Sequence, residues 1–255
     1  MKKIIIYIDD KIFFGFFMNL YRSISINKTI SKLNQESENI SLYYYNKSKR
    51  NTISELCFKH GSDKGYLDFF SKTPYIWKPR NYAEFYFKLF DHCKDQIRLV
   101  FECGIGSNNP NIESNMTSGG KPGASLRVWK DYFTNAEIYG ADIDKNILFT
   151  EDRIKTFEVD QTKKDSIEKM WQQINKRDFD IIIDDGLHNY EAGITLFENS
   201  FEKLRKNGIY IIEDVSNKYL FQLIESLKSH NPEVEILKSN LNNRNDNNLI
   251  CIRKY

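Results

Sequence analysis

The 255-residue sequence predicts an α/β fold, a mostly parallel sheet with helices on both faces that closes in an antiparallel hairpin at the C-terminal end. Three observations predict it. From residue 98 onward, apolar runs of strand length alternate with stretches whose apolar residues recur at helical spacing. Glycines or clustered acids follow several of those runs, where open α/β sheets bind ligands. Finally, Val234–Leu237 and Leu249–Arg253 flank an Asn-rich stretch, Ser239–Asn248, suited to joining two antiparallel strands.

Taken in chain order, the first 95 residues read as an N-terminal cap and residues 96–255 as the α/β core. The opening run IIIYIDDKIFFGFFM is cut by Asp9, Asp10 and Lys11, so it falls short of the roughly 18 uncharged residues that a membrane span needs. Its aromatic part, Ile12–Met18, is a candidate contact for a homo-oligomer. Lys28 to about Asn51 is polar, a linker or irregular cap interrupted by the extended run Tyr43–Tyr45. Between Asn81 and Cys93 the apolar residues Tyr82, Phe85, Tyr86, Leu89 and Phe90 form a helical stripe. Strands are then predicted at Arg98–Cys103, Ala136–Ala141, Thr156–Val159, Phe179–Ile183 and Asn207–Ile212, ahead of the two hairpin strands. Helices are predicted at Ser125–Phe133, Lys163–Gln173, Tyr190–Leu204 and Lys218–Lys228.

Charge and cysteine usage exclude several functions. Lys and Arg number 37 against 35 Asp and Glu, a formal charge of +2, which does not suit a chain that neutralises a nucleic-acid backbone by mass of charge. No nucleic-acid partner is expected. Cys57, Cys93, Cys103 and Cys251 form no C-x-x-C pair, so neither a disulfide framework nor a thiolate metal site is indicated, and a reducing cytoplasm is the expected location.

Chemistry concentrates at strand ends. Glu102-Cys103-Gly104-Ile105-Gly106 closes the first core strand, where glycines let a ligand approach the backbone. The second strand ends in Asp142 and Asp144, carboxylates able to accept the hydroxyls of a ribose. A dinucleotide fingerprint would place a third glycine at the start of a helix, but the polar run Ser107-Asn108-Asn109-Pro110 follows instead, which suits an adenosine cofactor lacking a pyrophosphate. The fourth strand leads into Asp184-Asp185-Gly186-Leu187-His188 and the fifth into Glu213-Asp214. If those strands are neighbours, Asp185, Glu213 and Asp214 converge, a repulsive arrangement that a hard divalent cation such as magnesium or manganese would relieve. His188 stands beside them, placed to take a proton from a hydroxyl.

The runs ECGIG, GASLRVWKDYF, YGADID, VDQTK and IIIDDGLHNYEAGITLFENSFEKLRKNGIYIIEDV, with HGSDKG upstream, resemble the metal-dependent sugar O-methyltransferases of the macrocin and mycinamicin type, from about His60 to Val215. The D-D-G-x-H element followed by E-D is the specific part; G-x-G is shared by all class I methyltransferases. The resemblance implies a Rossmann-like class I methyltransferase with a seven-stranded sheet. It also implies S-adenosyl-L-methionine at Glu102, Gly104 and Gly106, its ribose at Asp142 and Asp144, its adenine near Asp160 and Gln161, and Ser62 and Lys64 of the upstream element alongside. Asp185, Glu213 and Asp214 match the metal ligands, and His188 the catalytic base.

What the resemblance implies is methyl transfer to an oxygen of a sugar or nucleotide-sugar acceptor. The Lys-, Asn- and Ile-dense composition suits an AT-rich bacterial genome, where members of the resembled family often decorate surface polysaccharides; the resemblance thus implies a nucleotide-activated heptose or similar capsule precursor, with Lys78, Arg80 and Arg127 as expected phosphate contacts. O-methylation of a phosphoramidate capsule substituent, a non-catalytic nucleotide-sugar-binding partner and an NAD-dependent oxidoreductase are the alternatives.

Overall fold

A computed structural model describes residues 40–45, 50–65, 75, 80, 82–228, 233–239 and 248–255. The expected oligomer contact at residues 12–18, Lys78 and the loop of the C-terminal hairpin lie outside them. Nine strands form one sheet: β1 (Ile40–Tyr45), β2 (Leu99–Cys103), β3 (Glu137–Asp142), β4 (Thr150–Glu151), β5 (Ile154–Glu158), β6 (Phe179–Asp184), β7 (Leu204–Val215), β8 (Glu233–Ser239) and β9 (Asn248–Arg253). Their order is β1-β8-β9-β7-β6-β2-β3-β5-β4. The seven expected strands are its contiguous middle, β8 to β5, with the six-residue β1 added at one edge and the two-residue β4 at the other. From β7 through β6, β2 and β3 to β5 every pairing is parallel, whereas β9 runs antiparallel to both β7 and β8.

The central strands are apolar because both of their faces are covered: all six residues of β6 and four of the five in β2 are buried. One face carries α1 (Thr52–His60), α2 (Tyr82–Phe90) and α3 (Ala124–Tyr132), whose Cys57, Tyr86 and Trp129 share a cluster with Val100, Ile138 and Ile181. The other carries α4 (Lys164–Ile174), α5 (Tyr190–Ser200) and α6 (Asn217–Lys228), whose Trp171, Phe197 and Leu223 pack with Phe101, Ile182 and Tyr210. Within α4 the buried residues Ile167, Met170, Trp171 and Ile174 recur at helical spacing, which is why that helix was legible in the sequence.

Helix α1 was not expected. It starts at a reciprocal cap in which the Asn51 side chain accepts from the Ser54 N–H at 3.0 Å and the Ser54 hydroxyl accepts from the Asn51 N–H at 2.9 Å. It ends at Gly61, whose φ of 82° lies in the left-handed region. A cap built from Asn and Ser, without the Glu or Gln of the usual box, is indistinguishable in sequence from the polar linker before it.

Candidate active site

Strand order decides which side chains meet. Strand β6 lies between β2 and β7, with Asp184 in register with Cys103 on one side and Ile212 on the other. The residues that follow, Gly104 and Asp185 just past their strands and Glu213 within β7, therefore stand side by side. Gly104 has a φ of 86°, and a Cβ there would lie 2.1 Å from the Asp185 carbonyl oxygen. Neither the conformation nor the contact admits a side chain. The Gly104→Ala variant is expected to lose roughly 2–4 kcal/mol of stability, measured by denaturant unfolding. Gly106, at the same φ, would drive a Cβ into the Met116 thioether, so the loop after β2 packs back on its own turn.

A cavity of about 560 Å³ opens along these strand ends, a volume within the range of small-molecule sites. By chemistry its lining divides in two: one half comprises Ser62, Gly104, Gly106, Asp142, Asp160 and Gln161, and the other the charged group Lys64, Asp185, His188, Glu213 and Asp214. Glu102 and Asp144 do not line it. The Glu102 carboxylate is fully buried behind the wall, where it accepts from the Trp129 indole N–H at 2.5 Å and lies 3.3 Å from the Lys64 ammonium. Asp144 accepts the Ser107 hydroxyl at 2.5 Å and the Asn146 N–H at 3.0 Å, fixing the turn that follows β3.

In the first half, the Asp142 carboxylate accepts the N–H of Ile105 at 2.9 Å and of Asp144 at 3.0 Å, joining the β2 and β3 turns. Burial raises its pKa, and the backbone N–H groups oppose the rise. The Gln161 amide donates to Asp184 at 3.1 Å and accepts from the Leu187 N–H at 2.8 Å, so the loop bearing His188 hangs on the end of β5. Asp184 itself is pushed up to about 6 by burial, partly offset by that Gln161 bond. The sequence reading overlooked Ile143, which is 52% exposed and lines this half, offering an apolar surface next to Asp142. The single signal for it was its position, directly after a strand-end acid.

The second half is a network of charges. Lys64 Nζ lies 2.6 Å from Asp185 Oδ2 and 2.7 Å from Glu213 Oε2. The other Glu213 oxygen accepts from the Tyr86 hydroxyl, and Asp214 accepts from Arg80 and from the Tyr82 hydroxyl, each at 2.7 Å. Arg80, expected at a phosphate, is thus engaged by Asp214, while Arg127 forks onto Glu151 and donates to the Pro122 carbonyl. Tyr82 and Tyr86 read as core residues in the sequence because a phenol with a buried ring keeps the helical stripe whether or not its hydroxyl reaches a carboxylate.

His188 Nε2 lies 3.3 Å from Asp185 Oδ1. Burial would lower the imidazole pKa, but the Asp185 hydrogen bond and the charges of Asp214, Asp185 and Asp184 outweigh it and raise it to about 9. Burial likewise opposes ionisation of Asp185, and Lys64 and His188 reverse that, holding its carboxyl down at about 2. His188 and Asp214 both adopt left-handed backbone, at φ 57° and 51°, a region that Asp and His enter more readily than most non-glycine residues. Among the described residues, Asp185, His188 and Asp214 each offer a ligand atom within 4.8 Å of one another, as a metal ion requires.

A seven-stranded core of this order, with a C-terminal hairpin and a cavity at the carboxyl strand ends, is a Rossmann-like methyltransferase fold. Solved structures agree: the MycE methyltransferase from the mycinamycin biosynthetic pathway, in complex with Mg and SAH, superposes with a TM-score of 0.55 at 24% identity, covering 81% of this chain and 55% of its own. Residues 116–254, more than half of the chain, match the model for FtsJ-like methyltransferases, and the chain belongs to that family. It is 32% identical over 174 residues to the mycinamicin VI 2''-O-methyltransferase of Micromonospora griseorubida, covering 68% of this chain and 38% of the relative. Over 167 residues it is 30% identical to the 8-demethyl-8-alpha-L-rhamnosyl tetracenomycin-C 2'-O-methyltransferase of Streptomyces olivaceus, covering 66% and 38%. The chain therefore spans about 38% of the length of these two curated relatives. No helix among the described residues is long and apolar enough to cross a membrane.

Proposed function

We propose that the chain transfers the methyl group of S-adenosylmethionine to a sugar hydroxyl, assisted by a divalent cation. The observation that carries this is the single cavity in which the glycine turn after β2 and the group Asp185, His188 and Asp214 face one space. The printed activities of the two relatives, both O-methyltransferases, support it, as does the MycE complex with Mg and SAH.

The adenosyl group would be held by Gly104, Gly106, Asp142, Asp160 and Gln161, with Ile143 and Ser62 lining the same cavity. Glu102 and Asp144 would act from behind the wall, the first by holding Lys64 and the second by holding the Ser107 turn. Asp185, Glu213 and Asp214 present the hard oxygen donors that magnesium or manganese prefers, so the residues fit such an ion. When bound, the cation would offset the carboxylate charge and polarise the acceptor oxygens.

The sulfonium is already a strong electrophile, so the chain must orient the acceptor and take its proton. With Nε2–H donated to Asp185, the neutral His188 ring carries its lone pair on Nδ1, the atom that would receive that proton. The acceptor oxygen bonds to the methyl carbon as the C–S bond breaks, leaving a methyl ether and S-adenosylhomocysteine. The N-terminal segment, residues 1–95, would cover the acceptor, since Lys64, Arg80, Tyr82 and Tyr86 reach the acidic half from it.

For the acceptor itself, the reading is a nucleotide-activated heptose or a similar capsule precursor, made in the cytoplasm. Its support is Lys121, a cation that lines the cavity and suits a phosphate of the acceptor. Incubation with S-adenosylmethionine, Mg²⁺ and a panel of free, glycoside-linked and nucleotide-activated sugars tests it by mass spectrometry. A methyl ether on a nucleotide sugar is expected. Methylation confined to a phosphoramidate would move the acceptor, and transfer to no oxygen in the panel would remove the sugar reading.

A further inference from the structure

Methyl transfer leaves one buried charge without a task. Lys64 is 2% exposed, and its ammonium touches three carboxylates that arrive from adjacent strands: Glu102 at the end of β2, Asp185 after β6 and Glu213 in β7. The backbone gives it no freedom to leave easily. The Arg80 N–H donates to the Asp63 carbonyl at 2.6 Å and the Ala83 N–H to the Lys64 carbonyl at 2.9 Å, tying this turn to the start of α2. The other donors to Glu102 and Glu213, from Trp129 and Ser125 to the first and Tyr86 to the second, are neutral and offset no charge. Two of the three carboxylates that Lys64 holds, Asp185 and Glu213, are also those proposed above for the cation.

We propose that Lys64 is the resident counter-ion of the acidic site: it holds the three strand-end carboxylates together in the metal-free chain and weakens divalent-cation binding by competing for Asp185 and Glu213. This rests on the cation reading given above. Lys64 is a positioning residue, acting through the carboxylates. Its loss has two consequences that a merely structural lysine would not combine. The metal-free chain is left with three buried carboxyl groups and no cation to pair with them, and a cation entering the site meets one positive charge fewer.

The test is calorimetric titration of Mg²⁺, with thermal unfolding in its absence and presence, on the full wild-type chain, Lys64→Met and Glu102→Gln. Lys64→Met is expected to melt lower without Mg²⁺, to bind Mg²⁺ about tenfold or more tightly, and to gain more in melting temperature from Mg²⁺ than the wild type does. Glu102→Gln is expected to bind Mg²⁺ severalfold more weakly, because the ammonium then concentrates on Asp185 and Glu213. Equal or weaker Mg²⁺ binding by Lys64→Met overturns the inference, whatever its melting temperature. If Lys64→Met folds only when Mg²⁺ is present, the counter-ion role is supported. If it folds in neither condition, Glu102→Gln decides, and unchanged affinity there overturns the inference. Failure of both the wild type and Lys64→Met to bind Mg²⁺ removes the cation reading, and this inference with it.

Discussion

Replacing His188 with alanine is expected to lower turnover about 10²-fold or more while leaving S-adenosylhomocysteine affinity within about twofold, the pattern of a lost proton acceptor. The two effects are assigned to different residues: His188 is hydrogen-bonded to Asp185, whereas the adenosyl group is assigned to Gly104, Gly106, Asp142, Asp160 and Gln161. Its unusual backbone conformation, φ 57°, comes directly before Asn189, whose side chain caps α5 by accepting from the Ala192 N–H at 2.8 Å. The cap does not involve the imidazole, so truncating the ring should leave the helix start intact. Near-normal turnover would take His188 out of the mechanism, whereas an equal loss of cofactor affinity would make it a binding residue.

Exhaustive chelation is expected to reduce turnover by at least about 10²-fold, with recovery on adding Mg²⁺. The structure gives two reasons. Without a divalent cation, Asp185 and Asp214 hold the His188 imidazole at a pKa near 9, so at neutral pH the ring is protonated and cannot accept the hydroxyl proton. The acceptor also loses the charge that would orient its oxygens. Substituting Asp214 with asparagine should also lower turnover, but by less, because it removes a metal ligand and with it one of the charges that raise the His188 pKa. Turnover that survives removal of every divalent ion would exclude a metal role and leave the acidic cluster needing another explanation.

Much of this was legible in the sequence, for reasons that particular residues show. The central strands carry near-continuous apolar runs such as Phe179–Asp184 because helices cover both faces, and those runs end in the residues that line the cavity. Asp185, Glu213 and Asp214 were expected to meet only if the fourth and fifth core strands were neighbours; the parallel pairing of β6 with β7 makes the strands neighbours, but the ligand atoms that come together are those of Asp185, Asp214 and His188, while Glu213 is engaged by Lys64 and Tyr86. What was not legible depends on direction as well as position. Glu102 and Asp144 stand where acids at strand ends usually face a cofactor, yet Trp129 and Lys64 engage one and Ser107 the other. Arg80 carries no mark in the sequence of the carboxylate it meets 134 positions later. Nor does a stripe of buried aromatic residues in α2 reveal that two of its phenols end on Glu213 and Asp214.

The cofactor is the point on which the whole account turns, and it can be tested without knowing the acceptor. Calorimetric titration of the chain with S-adenosylhomocysteine and, separately, with NAD asks whether the half-cavity around Gly104, Gly106, Asp142 and Gln161 takes an adenosine bearing a thioether or one bearing a pyrophosphate. Saturable binding of S-adenosylhomocysteine, weakened by Asp142→Asn, is the predicted result. Binding of NAD alone would contradict it.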